Sequence, residues 1–246
     1  MFTPVLEDVA GAGPVVYAFP HAGGNLTGLA PLARALPVGC ALRCVDLPGR
    51  LARAHEPART EFLPLVRDLA DAVAAEVSRT PARPFALLGS CGGAYLALEI
   101  ARALRADLVR PPAVLAVLSA AAPDVAPIPH RVAELPATTL WEYLRGGDGV
   151  PDELPDDPVF LGLAERAVRA DFALFADYRH RPAPPLDVPV VALRGAEDRG
   201  LRRGELLGWR RQTTRPAQTD DVAATGRWLV EHAPDAVAAA LRDWLT

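Results

Sequence analysis

The 246-residue sequence contains no lysine, few cysteines and no long hydrophobic run. An odd set of three cysteines does not suit a disulfide framework, so free thiols in the cytoplasm are the simplest interpretation. No apolar stretch is long enough to span a bilayer, and the first residues lack the basic region and apolar core of a signal peptide. We therefore expect a cytoplasmic protein that does not contact a membrane.

The charged residues do not form a surface suited to nucleic acid. The formal net charge is -4 at pH 7, and no basic cluster with interleaved aromatic residues occurs. Cys40 and Cys44 have no second pair of ligands at metal-binding spacing, so we interpret both as core residues. The sequence therefore predicts neither a nucleic-acid partner nor a metal site.

Strands and helices alternate along most of the chain. Half of the residues are hydrophobic, which suffices for one large α/β core. Short apolar runs predict strands, and apolar residues at helical spacing predict the helices between them. Such alternation is typical of a parallel sheet with helices on both faces. The predicted strands are residues 15–19, 40–47, 85–88, 113–119 and 188–193, and the predicted helices are residues 29–36, 62–77, 94–101 and 228–245.

This alternation is interrupted between residues 122 and 185. Prolines there separate short helical pieces, and the segment is too long for a simple connection. We therefore predict an inserted helical lid at 122–185, between two parts of the core at 1–121 and 186–246. Its aromatic side chains form either the lid's own core or the wall of a substrate channel: Trp141, Tyr143, Phe160, Phe172 and Phe175.

The most informative motif is Gly89-x-Cys91-x-Gly93, which lies between a predicted buried strand and a predicted buried helix. This pattern is that of a nucleophile elbow, a tight turn that strains its central residue while glycines let strand and helix approach. Cys91 would then lie at a helix N-terminus, where backbone N–H groups favour the nucleophilic thiolate. The alternative is a glycine-rich turn with a buried, inert cysteine.

Several short motifs, in order over nearly the whole chain, resemble those of one enzyme family. Residues 19–24 (FPHAGG) and 46–50 (DLPGR) each come at the end of a predicted strand. Residues 169–172 (RADF), together with Tyr178 and residues 182–186, lie toward the end of the predicted lid. Residues 195–198 (GAED) follow the last predicted strand. With the elbow, they resemble the α/β-hydrolase fold, and more narrowly the type II thioesterases of polyketide and nonribosomal-peptide biosynthesis. The resemblance implies a mostly parallel central sheet with helices on both faces and a helical lid insertion.

Two departures from that family concern the reacting groups. The family's elbow usually carries serine, whereas this chain has Cys91. The family's catalytic histidine lies in a turn before the last helix, where this chain has Gly226 or Arg227, depending on the alignment. The resemblance therefore implies a nucleophile in the usual place but no histidine at the usual position of the general base.

The resemblance also implies roles for residues around the elbow. The backbone N–H groups of Ala22 and Gly92 would form the oxyanion hole, which stabilises negative charge in the transition state. Asp198 occupies the position of the catalytic aspartate, but its usual histidine partner is absent. We expect Arg227 to fill that place as an ion pair with Asp198; whether Asp198 is catalytic or structural stays open at this point.

Two histidines are candidates for a replacement base. His21 belongs to the oxyanion-loop motif and either shapes that loop through hydrogen bonds or acts directly as a base. His232 lies on the last predicted helix and is either a surface residue or the substitute for the missing histidine.

Cysteine relaxes the need for a base, because a fraction of a thiol is already ionised near neutral pH. We therefore expect a type II thioesterase-like enzyme that acts on acyl or aminoacyl thioesters tethered to carrier proteins through a Cys91 acyl-enzyme. Hydrolysis is the family's usual outcome; transfer of the acyl group between carriers is the alternative, because it makes less demand on a base. A third interpretation is a homologue that binds carriers without turnover. The family needs no cofactor of its own, since phosphopantetheine arrives on the carrier protein.

Overall fold

The computed structural model of the chain describes residues 1–6, 13–50, 53–125, 131–146 and 157–245. Within these residues, seven strands form one sheet. The strands are β1 (Phe2–Leu6), β2 (Val15–Phe19), β3 (Ala41–Val45), β4 (Phe85–Ser90), β5 (Val114–Leu118), β6 (Val190–Gly195) and β7 (Ala217–Val222). The helices are α1 (Ala30–Ala35), α2 (Phe62–Arg79), α3 (Gly93–Ala106), α4 (Ala137–Gly146), α5 (Pro158–Asp177), α6 (Arg203–Leu207), α7 (Leu229–His232) and α8 (Pro234–Leu241).

The sheet is mostly parallel, as predicted. Its strand order is β1-β3-β2-β4-β5-β6-β7, and every neighbouring pair is parallel except β1 with β3. Strands β2, β4 and β5 are buried along their whole length, which explains their continuous apolar runs. One face of the sheet packs against α2 and α3, and the other packs against α1 and α8. The predicted α/β-hydrolase architecture is confirmed.

Neither edge strand of the sheet was predicted from the sequence. Strand β1 pairs only with β3 and is half-buried, and β7 pairs only with β6. In β7, whose sequence is Ala-Gln-Thr-Asp-Asp-Val, Thr219 is the one buried residue, and the others are half-buried or exposed. An edge strand needs few apolar side chains because part of its surface faces water, so the apolar-run signal is absent.

Two predicted helical segments differ from the structure. The single helix predicted at 228–245 is wrong, because the chain leaves helical geometry at Ala233 and restarts at Pro234 as α8. Proline lacks the N–H that would continue α7 but is well suited to a first helical position. Conversely, α5 is one 20-residue helix where short pieces were predicted. The Asp157 carboxylate caps it by accepting from the N–H groups of Val159 and Phe160, at 2.8 and 2.9 Å.

Helices α4 and α5 lie within the segment predicted as a lid. A small apolar cluster joins them and contains Val132, Leu140, Leu144 and Val168, with Trp141 packed against it. Residues 126–130 and 147–156 of this segment lie outside the described part of the chain, so the division into core and lid stays a prediction. Among the described helices, none has the length and apolar character needed to cross a membrane.

Candidate active site

The carboxyl ends of four parallel strands bring the predicted site residues to one edge of the sheet. Strand β2 leads into the loop with His21 and Ala22, and β4 leads to Cys91. Strand β5 is followed by Ser119, and β6 is followed by the turn with Asp198. Ligand sites of open α/β sheets occur at this edge, because the loops that follow parallel strands converge there.

Cys91 forms the tip of a tight turn between β4 and α3. Its φ is 51°, a left-handed value that a non-glycine residue rarely adopts, and its N–H donates to the Leu118 carbonyl at 2.8 Å. A Cβ at Gly89 would overlap the backbone of Ala94, and a Cβ at Gly93 would overlap the Phe19 carbonyl. The strained elbow is therefore present, and both flanking glycines are required by close backbone approach.

A cavity of about 600 Å³ opens at this turn, and half-buried Cys91 lies on its wall. Its volume lies within the range of small-molecule sites. Cys91 is therefore not a buried core residue, and its role as nucleophile stays a prediction, whereas Cys40 and Cys44 are buried core residues as predicted. The other residues that line the cavity are His21, Ala22, Gly92, Tyr95, Ser119, Ala120, Ala121, Glu142, Tyr143, Leu144, Gly146, Phe172, Phe175, Gly200, Leu201, Glu205, Arg227 and Trp228.

Ala22 and Gly92, the two residues predicted for the oxyanion hole, both border the cavity beside Cys91. Gly92 immediately precedes α3, where helix N–H groups have no partner within the helix. A Cβ at Gly92 would overlap the Phe175 ring, so α5 packs directly against this peptide. The positions suit two N–H donors near one carbonyl oxygen, and the role itself stays a prediction.

A buried ion pair anchors the loop that carries Ala22. The Asp171 carboxylate, on α5, is 2% exposed and accepts two hydrogen bonds from the Arg50 guanidinium, one of 2.8 Å from Nη1 to Oδ2. The same carboxylate accepts the N–H of Gly23 at 2.7 Å, and Arg50 also donates to the Gly24 carbonyl at 3.2 Å. Sequence analysis noted both motifs as family resemblances but missed their pairing, because 121 positions separate the two residues.

Arg227 and Asp198 form the expected ion pair. Nη2 of Arg227 lies 3.4 Å from Oδ1 of Asp198, and the N–H of Gly200 donates to the same oxygen at 2.9 Å. The Asp198 side chain has no exposed surface, and its Oδ2 has no hydrogen-bond partner among the described residues. Arg227 thus occupies, next to the aspartate, the place where the resemblance puts a histidine.

Backbone contacts hold Arg227 beside this aspartate. The N–H of Glu197 donates to the Thr225 carbonyl at 3.0 Å, and a Cβ at Gly195 would overlap the Gly226 carbonyl. Burial lowers the pKa of the Arg227 guanidinium, but the nearby acidic groups of Cys91 and Asp198 outweigh burial and raise this pKa above its ordinary value. Arg227 is therefore a permanent cation on the cavity wall.

Of the two candidate histidines, only His21 borders the cavity. Its ring meets the Trp228 indole edge to face, with ring centroids 4.3 Å apart. Burial, together with the positive charges of Arg227 and Arg50, lowers the pKa of His21 to about 4, so the ring is neutral at pH 7. His232 is exposed at the end of α7 and does not line the cavity, as the surface interpretation expects. A base role for His232 is therefore without structural support.

The depressed pKa of His21 predicts a loss of stability in mild acid. The unfolded chain takes up this proton near pH 6.5, whereas the folded protein resists it down to about pH 4. The stabilisation is therefore complete above pH 6.5 and is lost as the pH falls through this window, by about 2 kcal/mol after allowing for water around the ring. Urea unfolding at pH 7 and pH 5 measures it.

We expect His21→Gln to remove this part of the pH dependence, and the exposed control His232→Gln to leave it unchanged. Equal pH slopes for the wild type and His21→Gln would contradict the assignment.

The lid aromatics divide between the two predicted roles. Tyr143, Phe172 and Phe175 line the cavity, which is consistent with a substrate channel. Trp141 packs into the apolar cluster between α4 and α5, and Phe160 is 43% exposed. Aromatic residues are suited both to a lid core and to a cavity wall, so their spacing in the sequence alone did not show which residue has which role.

Ser119, which was not predicted from the sequence, also lies at this site. Its φ is 46°, and its Oγ is buried without a hydrogen-bond partner among the described residues. Ser119 borders the same cavity as Cys91. Nothing in the local sequence marks it, because a serine after an apolar strand is common; only the strained backbone and the orphaned hydroxyl reveal the position.

Comparisons with known proteins agree with this geometry. Residues 14–245 match the family model described as "Thioesterase domain". The chain is 34% identical over 228 residues to the AMB antimetabolite synthetase AmbE of Pseudomonas aeruginosa, covering 93% of this chain but only 10% of AmbE. It is 28% identical over 200 residues to the gramicidin S biosynthesis protein GrsT of Aneurinibacillus migulanus, covering 81% of this chain and 77% of GrsT.

Solved structures show the same fold over nearly the full length. The type II thioesterase BorB from the borrelidin biosynthetic cluster superposes with a TM-score of 0.87 at 30% identity, covering 100% of this chain and 97% of BorB. The thioesterase RedJ from the prodiginine pathway of Streptomyces coelicolor superposes with a TM-score of 0.81 at 27% identity, covering 96% and 86%.

Proposed function

Because this chain belongs to the type II thioesterase family, we propose that it acts on acyl or aminoacyl groups carried as thioesters by carrier proteins of natural-product biosynthesis. The relatives support this substrate class, since GrsT is named for gramicidin S biosynthesis and BorB comes from the borrelidin cluster. The partner is then an acyl or peptidyl carrier protein, and its phosphopantetheine arm presents the thioester. The enzyme itself needs no cofactor for this chemistry.

The observation that carries the proposal is the position of Cys91 at a strained elbow on the cavity wall. The Cys91 thiolate attacks the carbonyl carbon of the carrier thioester, and the N–H groups of Ala22 and Gly92 stabilise the oxyanion that forms. The new S–C bond is to Cys91, and the bond that breaks is to the phosphopantetheine sulfur. The carrier thiolate leaves and takes a proton from solvent, so this exchange of thioesters needs no general base.

Hydrolysis of the acyl-enzyme is the family's usual second step, and it requires removal of a proton from water. Transfer of the acyl group to another thiol is a second candidate, favoured by Arg227 at the histidine's place. A guanidinium cannot accept a proton at neutral pH. A thiol acceptor needs less help, because part of it is already ionised. We therefore keep hydrolase and acyltransferase as the two forms of the proposed activity.

Intact-protein mass spectrometry with acyl-loaded carriers tests the proposal. We expect a covalent acyl adduct in the wild type and none in Cys91→Ala, which lacks the nucleophile but keeps the cavity. Decay of the adduct in buffer supports hydrolysis, and decay only on addition of a second, unloaded carrier supports transfer. No adduct with short acyl, long acyl or aminoacyl carriers would overturn the proposal in favour of a carrier-binding homologue without turnover.

A further inference from the structure

We propose that the Arg227 guanidinium is the permanent positive charge that stabilises the Cys91 thiolate. We further propose that, because of Arg227, the acyl-enzyme reacts with a thiol acceptor rather than with water. This inference rests on the Cys91 acyl-enzyme of the proposed function and deepens it. It assigns to Arg227 a role opposite to that of a general base: the residue stabilises an anion but accepts no proton.

Arg227 is placed for this role by three separate features. It is the only cationic side chain that lines the cavity with Cys91 in the described part of the chain. Its contact with Asp198 is a single long one, 3.4 Å from Nη2 to Oδ1, rather than a two-pronged pair. Its side chain is 21% exposed, and its one hydrogen bond among the described residues is this contact with Asp198. The guanidinium therefore retains donors that are available to an anion in the cavity.

Asp198 acts as the orienting group in this arrangement. Its side chain is fully buried and is held by the N–H of Gly200 at 2.9 Å. The buried carboxylate holds the guanidinium through one contact of 3.4 Å, and Arg227 still lines the cavity together with Cys91. Cys91, Arg227 and Asp198 thus alternate in sign, as thiolate, guanidinium and carboxylate.

This order of charges distinguishes the two half-reactions. The first step consumes the thiolate and leaves Cys91 neutral as a thioester, so the Arg227 charge then faces the cavity uncompensated on that side. The positive charge attracts an acceptor thiolate, which attacks the acyl carbon and expels Cys91 as thiolate, so the starting pair of charges is restored. The proton that the acceptor thiol released to solvent balances the proton that the leaving carrier thiolate took up in the first step. Water brings no charge, and the place next to Asp198 holds a guanidinium, which accepts no proton at neutral pH.

His21 is the one imidazole on the cavity wall within the described ranges, and it is the main rival as a base for water. Two cations, Arg227 and Arg50, act on it, and its pKa lies near 4. A base of this strength takes a proton from water inefficiently at neutral pH. Glu142 and Glu205 also border the cavity; Arg202 binds the Glu205 carboxylate, whereas Glu142 is a solvent-exposed residue of α4.

The first test is the pH dependence of iodoacetamide alkylation at Cys91, followed by peptide mapping. In Arg227→Gln, which removes the charge, we expect the midpoint to move up by about one pH unit and the rate at pH 7 to fall about tenfold. Arg227→Lys keeps the charge and should recover most of the wild-type profile. Cys40 and Cys44, each 1% exposed, serve as internal controls for folding because they should stay unmodified.

The second test measures how long the acyl-enzyme survives in buffer. Arg227→His places an imidazole next to Asp198, and we expect it to shorten the lifetime at least tenfold, with a pH profile that follows histidine ionisation. Arg227→Lys, the matched cation, should leave the lifetime long, and His21→Gln should not lengthen it.

If the pH profile of Cys91 alkylation is unchanged in Arg227→Gln, Arg227 does not stabilise the Cys91 thiolate. If the wild-type adduct hydrolyses quickly and His21→Gln slows this hydrolysis, the proposed preference for a thiol acceptor is wrong and His21 is the base. Should Arg227→His fail to fold, the Gln and Lys variants still decide the first point. Failure of the proposed function is distinguishable, because it appears as no adduct at all, whereas alkylation needs no substrate.

Discussion

Replacing Cys91 by serine is expected to slow formation of the acyl adduct about 10³-fold. A serine hydroxyl is a poor nucleophile unless a neighbouring base removes its proton, and such a base contributes about 10²- to 10⁴-fold. In this site Arg227 occupies the place next to Asp198, and His21 has a pKa of about 4. Single-turnover mixing with an acyl-loaded carrier, quenched in acid and analysed by intact mass, measures the rate.

The double variant Cys91→Ser with Arg227→His tests directly whether the missing base causes this loss of rate. It restores serine and histidine beside Asp198, and we expect it to regain at least tenfold over Cys91→Ser alone. Cys40→Ala serves as the control for removal of a thiol, because Cys40 lies in the core and does not line the cavity. A Cys91→Ser rate within tenfold of the wild type would mean that an effective base acts on residue 91.

Replacing Asp171 by alanine is expected to lower the free energy of unfolding by about 3–5 kcal/mol. The substitution leaves the Arg50 guanidinium buried without its carboxylate, and removal of one partner of a buried ion pair typically costs this much. It also removes the acceptor of the Gly23 N–H, so the loop with Ala22 loses its anchor to α5. Urea unfolding at pH 7 measures the loss, and the adduct rate should fall with it.

The control for Asp171 is a solvent-exposed pair of the same chemistry. Arg59 and Asp68 form an ion pair whose side chains are 36% and 45% exposed, so Asp68→Ala should cost less than about 1 kcal/mol. Asp171→Asn adds a second comparison, because it keeps an oxygen for the Gly23 N–H while removing the charge. Similar losses in Asp171→Ala and Asp68→Ala would show that the buried pair does not hold the loop.

Local patterns predicted the strands of the core and the nucleophile turn. Continuous apolar runs mark β2, β4 and β5 because both faces of these strands are buried. The glycines around Cys91 mark the elbow because close backbone approach leaves no room for a Cβ. Edge strand β7 was not predicted because it contains no run of apolar residues. The break before Pro234 was not predicted because apolar residues lie on both sides of it.

By itself, the sequence determined the kind of fold, the tight turn that carries Cys91 and the absence of a histidine at the usual place, because each depends on residues that are neighbours along the chain. The tertiary structure confirmed the expected pair of Arg227 with Asp198, and only the tertiary structure showed the pair of Arg50 with Asp171. Arg227 meets Asp198 across 29 positions, and Arg50 meets Asp171 across 121. The role of a charge depends on which groups surround it and on how much water is excluded, and packing alone sets both.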